Sequence, residues 1–287
     1  MNAWLLAIRP KTLPASISPI ILANAMNWGP AFNWMIAILT LTTAFFLQIA
    51  VNFANDYFDF RSGVDTDQRL GPKRATQSGL ISPGAMIKAI VFSLIIAMAT
   101  SAYLIYLGGT PILILFIACV IGVIWYSGGP WPLASLGLGE VTVFLFFGWA
   151  AILGTQYLHQ HELTPLSWWL GTQVGLISAA IMLVNNIRDI LTDEPAGKRT
   201  LAVRLGLQKS ISLYSILIIT PFIMQTVYFL FSDKSFGAVI PFLTTPLMIR
   251  LLKRMPECEG ESYNEQLAAT AKFLLLFSLA LSFSQLT

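Results

Sequence analysis

The chain has 287 residues, of which 56% are hydrophobic and only 11% charged, and its mean hydropathy is +0.71. A soluble domain carries about 25% charged residues, so the composition excludes a water-soluble fold and points to an all-α polytopic membrane protein. The net charge of +3 reports topology rather than a partner, and nothing in the sequence suggests nucleic-acid binding.

In chain order, apolar runs long enough to cross a ~30 Å hydrocarbon core as helices fall near residues 12–28, 35–55, 86–107, 111–126, 140–158, 168–187, 211–231, 236–252 and 268–285. Backbone polar groups in lipid must be satisfied within the segment, which helices achieve. Turn-forming stretches such as "NWGPAFNW", "LGGTP", "SGGPWPLASLG" and "HQHELTP" separate the runs. Nine transmembrane helices in one domain spanning residues 1–287 are therefore expected.

The first run invites a competing reading. Arg9, Lys11, an apolar stretch and Ala23-Asn24-Ala25 resemble a secretory signal, but Pro14, Ser16, Ser18 and Pro19 interrupt the apolar region. A retained helix is the expectation. Cys119 lies in a span and Cys258 in a loop, so the cysteines outline neither a disulfide framework nor a metal site.

Lys and Arg accumulate in short cytoplasmic loops. Nine spans place sixteen of the seventeen basic residues on one side and leave Lys234 on the other. The expected arrangement is a multi-pass protein of the cell (inner) membrane with a cytoplasmic N-terminus and an external C-terminus.

The scarce charge is concentrated. Val51 to Gly79, "VNFANDYFDFRSGVDTDQRLGPKRATQSG", holds Asp56, Asp59, Asp65 and Asp67 with Arg61, Arg69, Lys73 and Arg74. Asn52 and Asp56 are four apart, as are Asn55 and Asp59, which puts them on neighbouring parts of one helix face. Asn185, Asp189 and Asp193 repeat the four-residue spacing 133 positions after Asn52 and Asp56, and the basic pair Lys198 and Arg199 follows as Lys73 and Arg74 do. This faint repeat suggests two weakly related halves facing one site.

Hard cations take oxygen ligands, and Mg2+ is usually held by one or two carboxylates while substrate phosphates and water complete its octahedron. Two facing acidic sets suit a Mg2+-diphosphate complex, with Lys and Arg on the phosphate oxygens. Solvated charge at helix exits is the plain alternative. Ionisable groups at membrane depth are costly and usually face the interior, and the duplication favours a site. Asp67, Glu194, Arg204 and the Glu257, Glu259, Glu261 and Glu265 cluster keep the plain reading. So do His159 and His161, expected in a solvated loop on the outer side.

At these residues the chain resembles the UbiA superfamily of intramembrane aromatic prenyltransferases, along nearly its whole length. "NDYFDFRSGVDTD", "YSGGPWPLASLGLGE" and "NNIRDILTDEPAGKRTLAVRLG" are most similar to its naphthoate-using branch. The resemblance implies a helical bundle around a central, cytoplasm-facing cavity within membrane lipid. It also implies a polyprenyl diphosphate donor, 1,4-dihydroxy-2-naphthoate as acceptor, and Mg2+ as cofactor. Asp56, Asp59, Asp189 and Asp193 become the catalytic acids and, with Asp65, the metal ligands. In the superfamily a third acid usually stands where this chain has Gly63, and Thr192 occupies another position that is often acidic.

Expected substrate contacts are Arg9, Lys11, Asn52, Asn55, Arg69, Lys73, Arg74, Tyr126, Asn185, Arg188, Lys198 and Arg199. Tyr57, Trp125 and Tyr126 are candidates to shield an allylic cation. A 4-hydroxybenzoate or homogentisate acceptor, and a cation-coupled transporter with acids near broken helices, stay open at this point.

Overall fold

The computed structural model describes residues 2–63, 70–72, 74–231 and 237–286, and every element in them is helical. A short α1 (Ala3–Ile8) precedes α2 (Leu13–Met26) and α3 (Trp34–Ser62). Next come α4 (Pro83–Trp125), α5 (Gly139–Val143), a π-helical stretch (Phe144–Ala150) and α6 (Ala151–Gln160). The chain continues through α7 (Pro165–Arg188), the single turn α8 (Ile190–Asp193), α9 (Leu201–Phe231), a 3-10 segment (Gly237–Thr244), α10 (Thr245–Arg254) and α11 (Ser262–Leu286).

Local chemistry explains the starts and breaks. Asn33 caps α3 by accepting N–H bonds from Met35 and Ile36, and Ser82 and Thr164 cap α4 and α7, each followed by a proline at the first helical position. Gly109 divides α4: its φ of 63° and ψ of −151° lie outside helical space, and Pro111 follows. Leu104 and Ile112, either side of that break, both pack with Ile36 near the start of α3, while Ile90 and Val123 both pack with Ile49 to Ala54 near its end. The two limbs of α4 therefore form a hairpin, matching the separate runs expected at 86–107 and 111–126.

Among the described residues, six helices are long and apolar enough to cross a membrane: α3, α4, the continuous 139–160 unit, α7, α9 and α11. Two expected runs have another form. The 12–28 run becomes the fourteen-residue α2, about 21 Å at 1.5 Å per residue. It packs its Leu22 and Ala23 into the main core. The 236–252 run divides at Thr244 into the 3-10 segment and α10, where Pro241 and Pro246 each remove a backbone donor.

α7 is the central helix: 78% of its apolar window is buried, against 17% for α4. Its neighbours approach closely because glycines face one another. A Cβ on Gly148 would lie 2.6 Å from the Gly171 carbonyl oxygen, and one on Gly175 would lie 2.8 Å from Phe144. The π-helical stretch and α7 thus touch backbone to backbone, as small residues allow between membrane helices.

His159 departs from the solvated-loop expectation. Its Nε2 lies 2.9 Å from Asn24 Oδ1 and its ring stacks on Phe32 at 5.1 Å, tying α6 to α2. A histidine next to the tail of an apolar run looks the same in sequence whether it faces water or a neighbouring helix.

Candidate active site

The bundle encloses a cavity of about 330 Å³. Asp59, Arg74, Asp189, Asp193 and Lys198 line one end, whereas Leu104, Ile112, Leu115, Phe116 and Leu158 line the apolar body. The acidic motifs expected to face one site do meet. Lys198 Nζ is 3.5 Å from Asp59 Oδ1, bridging residues 139 apart in sequence.

On the α3 side, Asp59 also pairs with Arg74, with both side chains under 10% exposed. Asp56, one turn earlier, has a different task. Its two oxygens accept the backbone N–H groups of Ala75 and Thr76, each at 2.9 Å, and the residue is 1% exposed. It fastens the chain after residue 74 to α3 and does not line the cavity. Asn55 accepts a hydrogen bond from the Ser127 hydroxyl at 2.5 Å. Asn52 donates to the Ile8 carbonyl at 2.8 Å and to Thr12 Oγ1 at 3.1 Å, holding the N-terminal turn over the cavity. That turn presents Arg9, which lines the cavity from a left-handed backbone conformation (φ 54°). Such a conformation costs about 1 kcal/mol or more for a non-glycine residue and persists where its surroundings hold it.

On the α7 side, Asp189 closes the helix and α8 carries the chain one turn to Asp193, whose N–H bonds the Asp189 carbonyl at 2.8 Å. Arg188 is buried behind the cavity rather than in it. Its guanidinium donates to both Asp189 oxygens at 2.8 and 2.6 Å, to Asn185 Oδ1 at 2.9 Å and to Asn264 Oδ1 at 2.8 Å. It orients two residues that line the cavity, Asn185 and Asp189.

Of the expected site residues, Arg9, Asn52, Asn55, Asp59, Arg74, Tyr126, Asn185, Asp189, Asp193 and Lys198 line the cavity. Lys11 and Arg199 are exposed and do not line it, so charge in a loop sequence overstated their approach. Asp65, Arg69 and Lys73 lie outside the described residues. Tyr126 is 8% exposed and its hydroxyl donates to Met182 Sδ at 3.3 Å, whereas Trp125 is 48% exposed and donates to the Trp131 carbonyl. The two acids 133 residues apart differ in place and partner: Asp56 accepts backbone N–H groups outside the cavity, and Asp189, which lines it, accepts from a guanidinium.

Sequence reading missed three polar residues. Asn264 joins Arg188 to the Leu70 carbonyl, donating at 2.9 Å. Arg204 pins the 133–136 turn by donating to the Leu136 and Arg199 carbonyls. Glu140 accepts from Asn186 at 2.8 Å. Apart from Arg199, five residues before Arg204, their partners lie far away in sequence, so spacing held no signal for them.

Among the described residues, no three His, Cys, Asp or Glu side chains cluster as a closed metal cage. Asp59 on one wall and Asp189 and Asp193 on the other offer hard oxygen donors, with Arg74 and Lys198 beside them. That donor set fits a hard divalent cation which takes its remaining ligands from a phosphate-bearing substrate.

The pattern of the UbiA prenyltransferase family matches residues 16–278. The 1,4-dihydroxy-2-naphthoate octaprenyltransferase of Escherichia coli (strain K12) is 34% identical over 286 residues, covering 97% of this chain and 93% of that protein. The protein of the same name from Mycobacterium tuberculosis (strain ATCC 25618 / H37Rv) is 35% identical, with 86% and 84% covered. Among solved structures, the apo UbiA homologue from Aeropyrum pernix K1 superposes with a TM-score of 0.71 at 17% identity, covering 94% of this chain and 96% of that one. A UbiA homologue from Archaeoglobus fulgidus bound to GPP and Mg2+ gives 0.65 at 15% identity, with 97% and 99% covered. Fold, two-sided acidic cavity and sequence relatives agree: the chain is a multi-pass membrane protein that belongs to the UbiA prenyltransferase family.

Proposed function

We propose that the protein transfers a polyprenyl group from polyprenyl diphosphate to 1,4-dihydroxy-2-naphthoate, releasing pyrophosphate and CO2 and giving demethylmenaquinol. The observation that carries this reading is the Lys198–Asp59 bridge at 3.5 Å, which joins the two acidic motifs at the charged end of an otherwise apolar cavity. That division matches a donor with a diphosphate head and a hydrocarbon tail. The acceptor follows from the relatives at 34% and 35% identity.

Asp59, with Asp65, is assigned to one side of a Mg2+ site and Asp189 and Asp193 to the other, while Asp56, expected from sequence among the ligands, holds the chain after residue 74 against α3. Bound Mg2+ would neutralise negative charge on the diphosphate and the leaving pyrophosphate. Arg74 and Lys198, already held against Asp59, are placed to pair with phosphate oxygens, to which charge-assisted bonds are strong. Arg188 fixes the direction of Asp189. Tyr126 lines the cavity and is assigned to the allylic carbon, where an aromatic face stabilises developing positive charge. The ring carbon bearing the carboxylate forms the new C–C bond as the allylic C–O bond breaks. Loss of CO2 then returns an electron pair to the ring.

The same reading takes the chain as a single domain with two weakly related halves and nine spans, counting α2, both limbs of α4 and the 237–254 unit. The acidic end faces the cytoplasm of a cell that keeps the enzyme in its inner membrane, on the charge asymmetry of the loops. Lys11 and Arg199 serve as topological anchors.

The test is incubation of purified protein with 1,4-dihydroxy-2-naphthoate, polyprenyl diphosphates of several lengths and Mg2+, following prenylated product and pyrophosphate. Product that disappears with EDTA and returns with Mg2+ is expected. Transfer only to 4-hydroxybenzoate or homogentisate would move the acceptor assignment, and no transfer from folded protein would overturn the reading.

A further inference from the structure

Glu140 stands in the first turn of α5 and is 4% exposed. Its Oε1 accepts the Asn186 side-chain N–H at 2.8 Å, while Oε2 is buried without a hydrogen-bond partner among the described residues. An incompletely satisfied buried carboxyl is costly. Among the described residues its side-chain hydrogen-bond partner is Asn186, which is where an account of the carboxyl begins.

Asn186 is 7% exposed and lines the cavity, whereas Glu140 lies behind it. The carboxyl oxygen accepts one of the two amide N–H bonds and so turns the Asn186 nitrogen toward Glu140, behind the cavity, with the carbonyl oxygen on the opposite side of the amide as the atom offered to an occupant. A carbonyl oxygen only accepts hydrogen bonds, so it selects a donor such as a hydroxyl.

Position along α7 says which occupant this is. Asp189 follows Asn186 by three residues at the charged end, and Met182 precedes it by four, its sulfur bonded to the Tyr126 hydroxyl at 3.3 Å. Asn186 therefore stands where the charged end gives way to the apolar body. The electrophilic carbon of an allylic diphosphate is bonded directly to the diphosphate oxygen, so the ring that attacks it must sit at this level. Gly139, beside Glu140, lets α5 press on the same place: a Cβ there would lie 3.3 Å from the Tyr126 hydroxyl and 3.7 Å from Met182.

We propose that Glu140 is a positioning residue that orients Asn186 to accept a hydrogen bond from a ring hydroxyl of the aromatic acceptor. The inference rests on the reading of the chain as an aromatic prenyltransferase. Asn186 and Glu140 together then form a specificity device for hydroxylated rings, separate from the acids that serve the diphosphate.

The experiment measures KM for each substrate and kcat in wild type, Asn186→Ala, Glu140→Ala, Glu140→Gln and the double Ala variant, with thermal unfolding of each. Both single Ala variants should raise the acceptor KM about tenfold, the scale of one buried hydrogen bond, with the prenyl diphosphate KM within about twofold of wild type. The double variant should be no worse than the poorer single one, because the two residues act as a unit. Glu140→Gln keeps an oxygen for the Asn186 N–H and should restore the acceptor KM to within about threefold. With a naphthoate lacking the recognised hydroxyl, Asn186→Ala and wild type should perform alike.

Equal rises in both KM values, a fall confined to kcat, or Glu140→Gln failing as badly as Glu140→Ala in folded protein would overturn the proposal. Should Glu140→Ala not fold, Asn186→Ala and Glu140→Gln carry the same comparison. Wild-type protein that prenylates no aromatic acceptor would overturn the functional reading and this inference together. Active wild type with unchanged KM values in the variants would overturn this inference alone.

Discussion

At the residue scale, the four aspartates of the two motifs differ in what holds them, and their variants should differ accordingly. Asp59 and Asp189 line the cavity and are engaged by side-chain cations. Asp59→Asn and Asp189→Asn should each lower turnover at least ~100-fold, since an electrostatic contact of ~2.7 kcal/mol or more is removed from the site. Near wild-type rates would remove these acids from the reaction. Asp56 instead receives two backbone N–H groups. Its amide variant can turn only one oxygen toward two donors, so Asp56→Asn should lose about 1–3 kcal/mol of stability in addition to activity, read as a lowered Tm in detergent. The N-x-x-x-D spacing marked Asp56 and Asp189 alike, because spacing reports a helix face and is blind to what packs against it.

At the element scale, α7 is the axis of the site and two contacts hold it in place. The first is its backbone contact with the π-helical stretch. Gly148→Leu has no space beside the Gly171 carbonyl and Gly175, so it should destabilise by about 1–3 kcal/mol or more as an overpacked position, checked by thermal unfolding. The second is Asn264 at the start of α11, which accepts from Arg188 and donates to the Leu70 carbonyl. Asn264→Leu removes both bonds and should cost about 2 kcal/mol, because it strips a partner from a buried guanidinium. Asn264→Asp keeps an acceptor for Arg188 and should cost less, with the prenyl diphosphate KM following the same order. Equal behaviour of the two variants would show that the Arg188 bond does not matter.

At the scale of the whole molecule, the bundle has a charged end and an aromatic end. Ser62 closes α3 at the first, and Gln160 closes α6 near the Asn24–His159–Phe32 contact at the second. Single cysteines at Ser62 and Gln160, introduced with Cys119 and Cys258 replaced by serine, should react with an impermeant maleimide from opposite sides of the membrane. Labelling from one side would overturn the nine-span topology.

Much of this architecture was legible in the chain itself, and the reason is the solvent. Lipid requires apolar spans of a set length, so hydropathy located α3, α7 and α11 to within several residues, found the end of α9 but not its start at Leu201, and Gly109-Thr110-Pro111 marked the turn within α4. The same apolar background made Asp56, Asp59, Asp189 and Asp193 conspicuous. What the chain order could not express was which polar groups would share a partner. Glu140 with Asn186 spans 46 residues, Arg188 with Asn264 spans 76, and Leu70 with Asn264 spans 194. A buried asparagine and a solvated one are identical letters until helices pack. The sequence by itself determined a membrane-embedded helical bundle with two acidic motifs; only the tertiary structure decided which acids reach the cavity and which side chains hold them, because desolvated hydrogen bonds between distant helices form only when those helices meet.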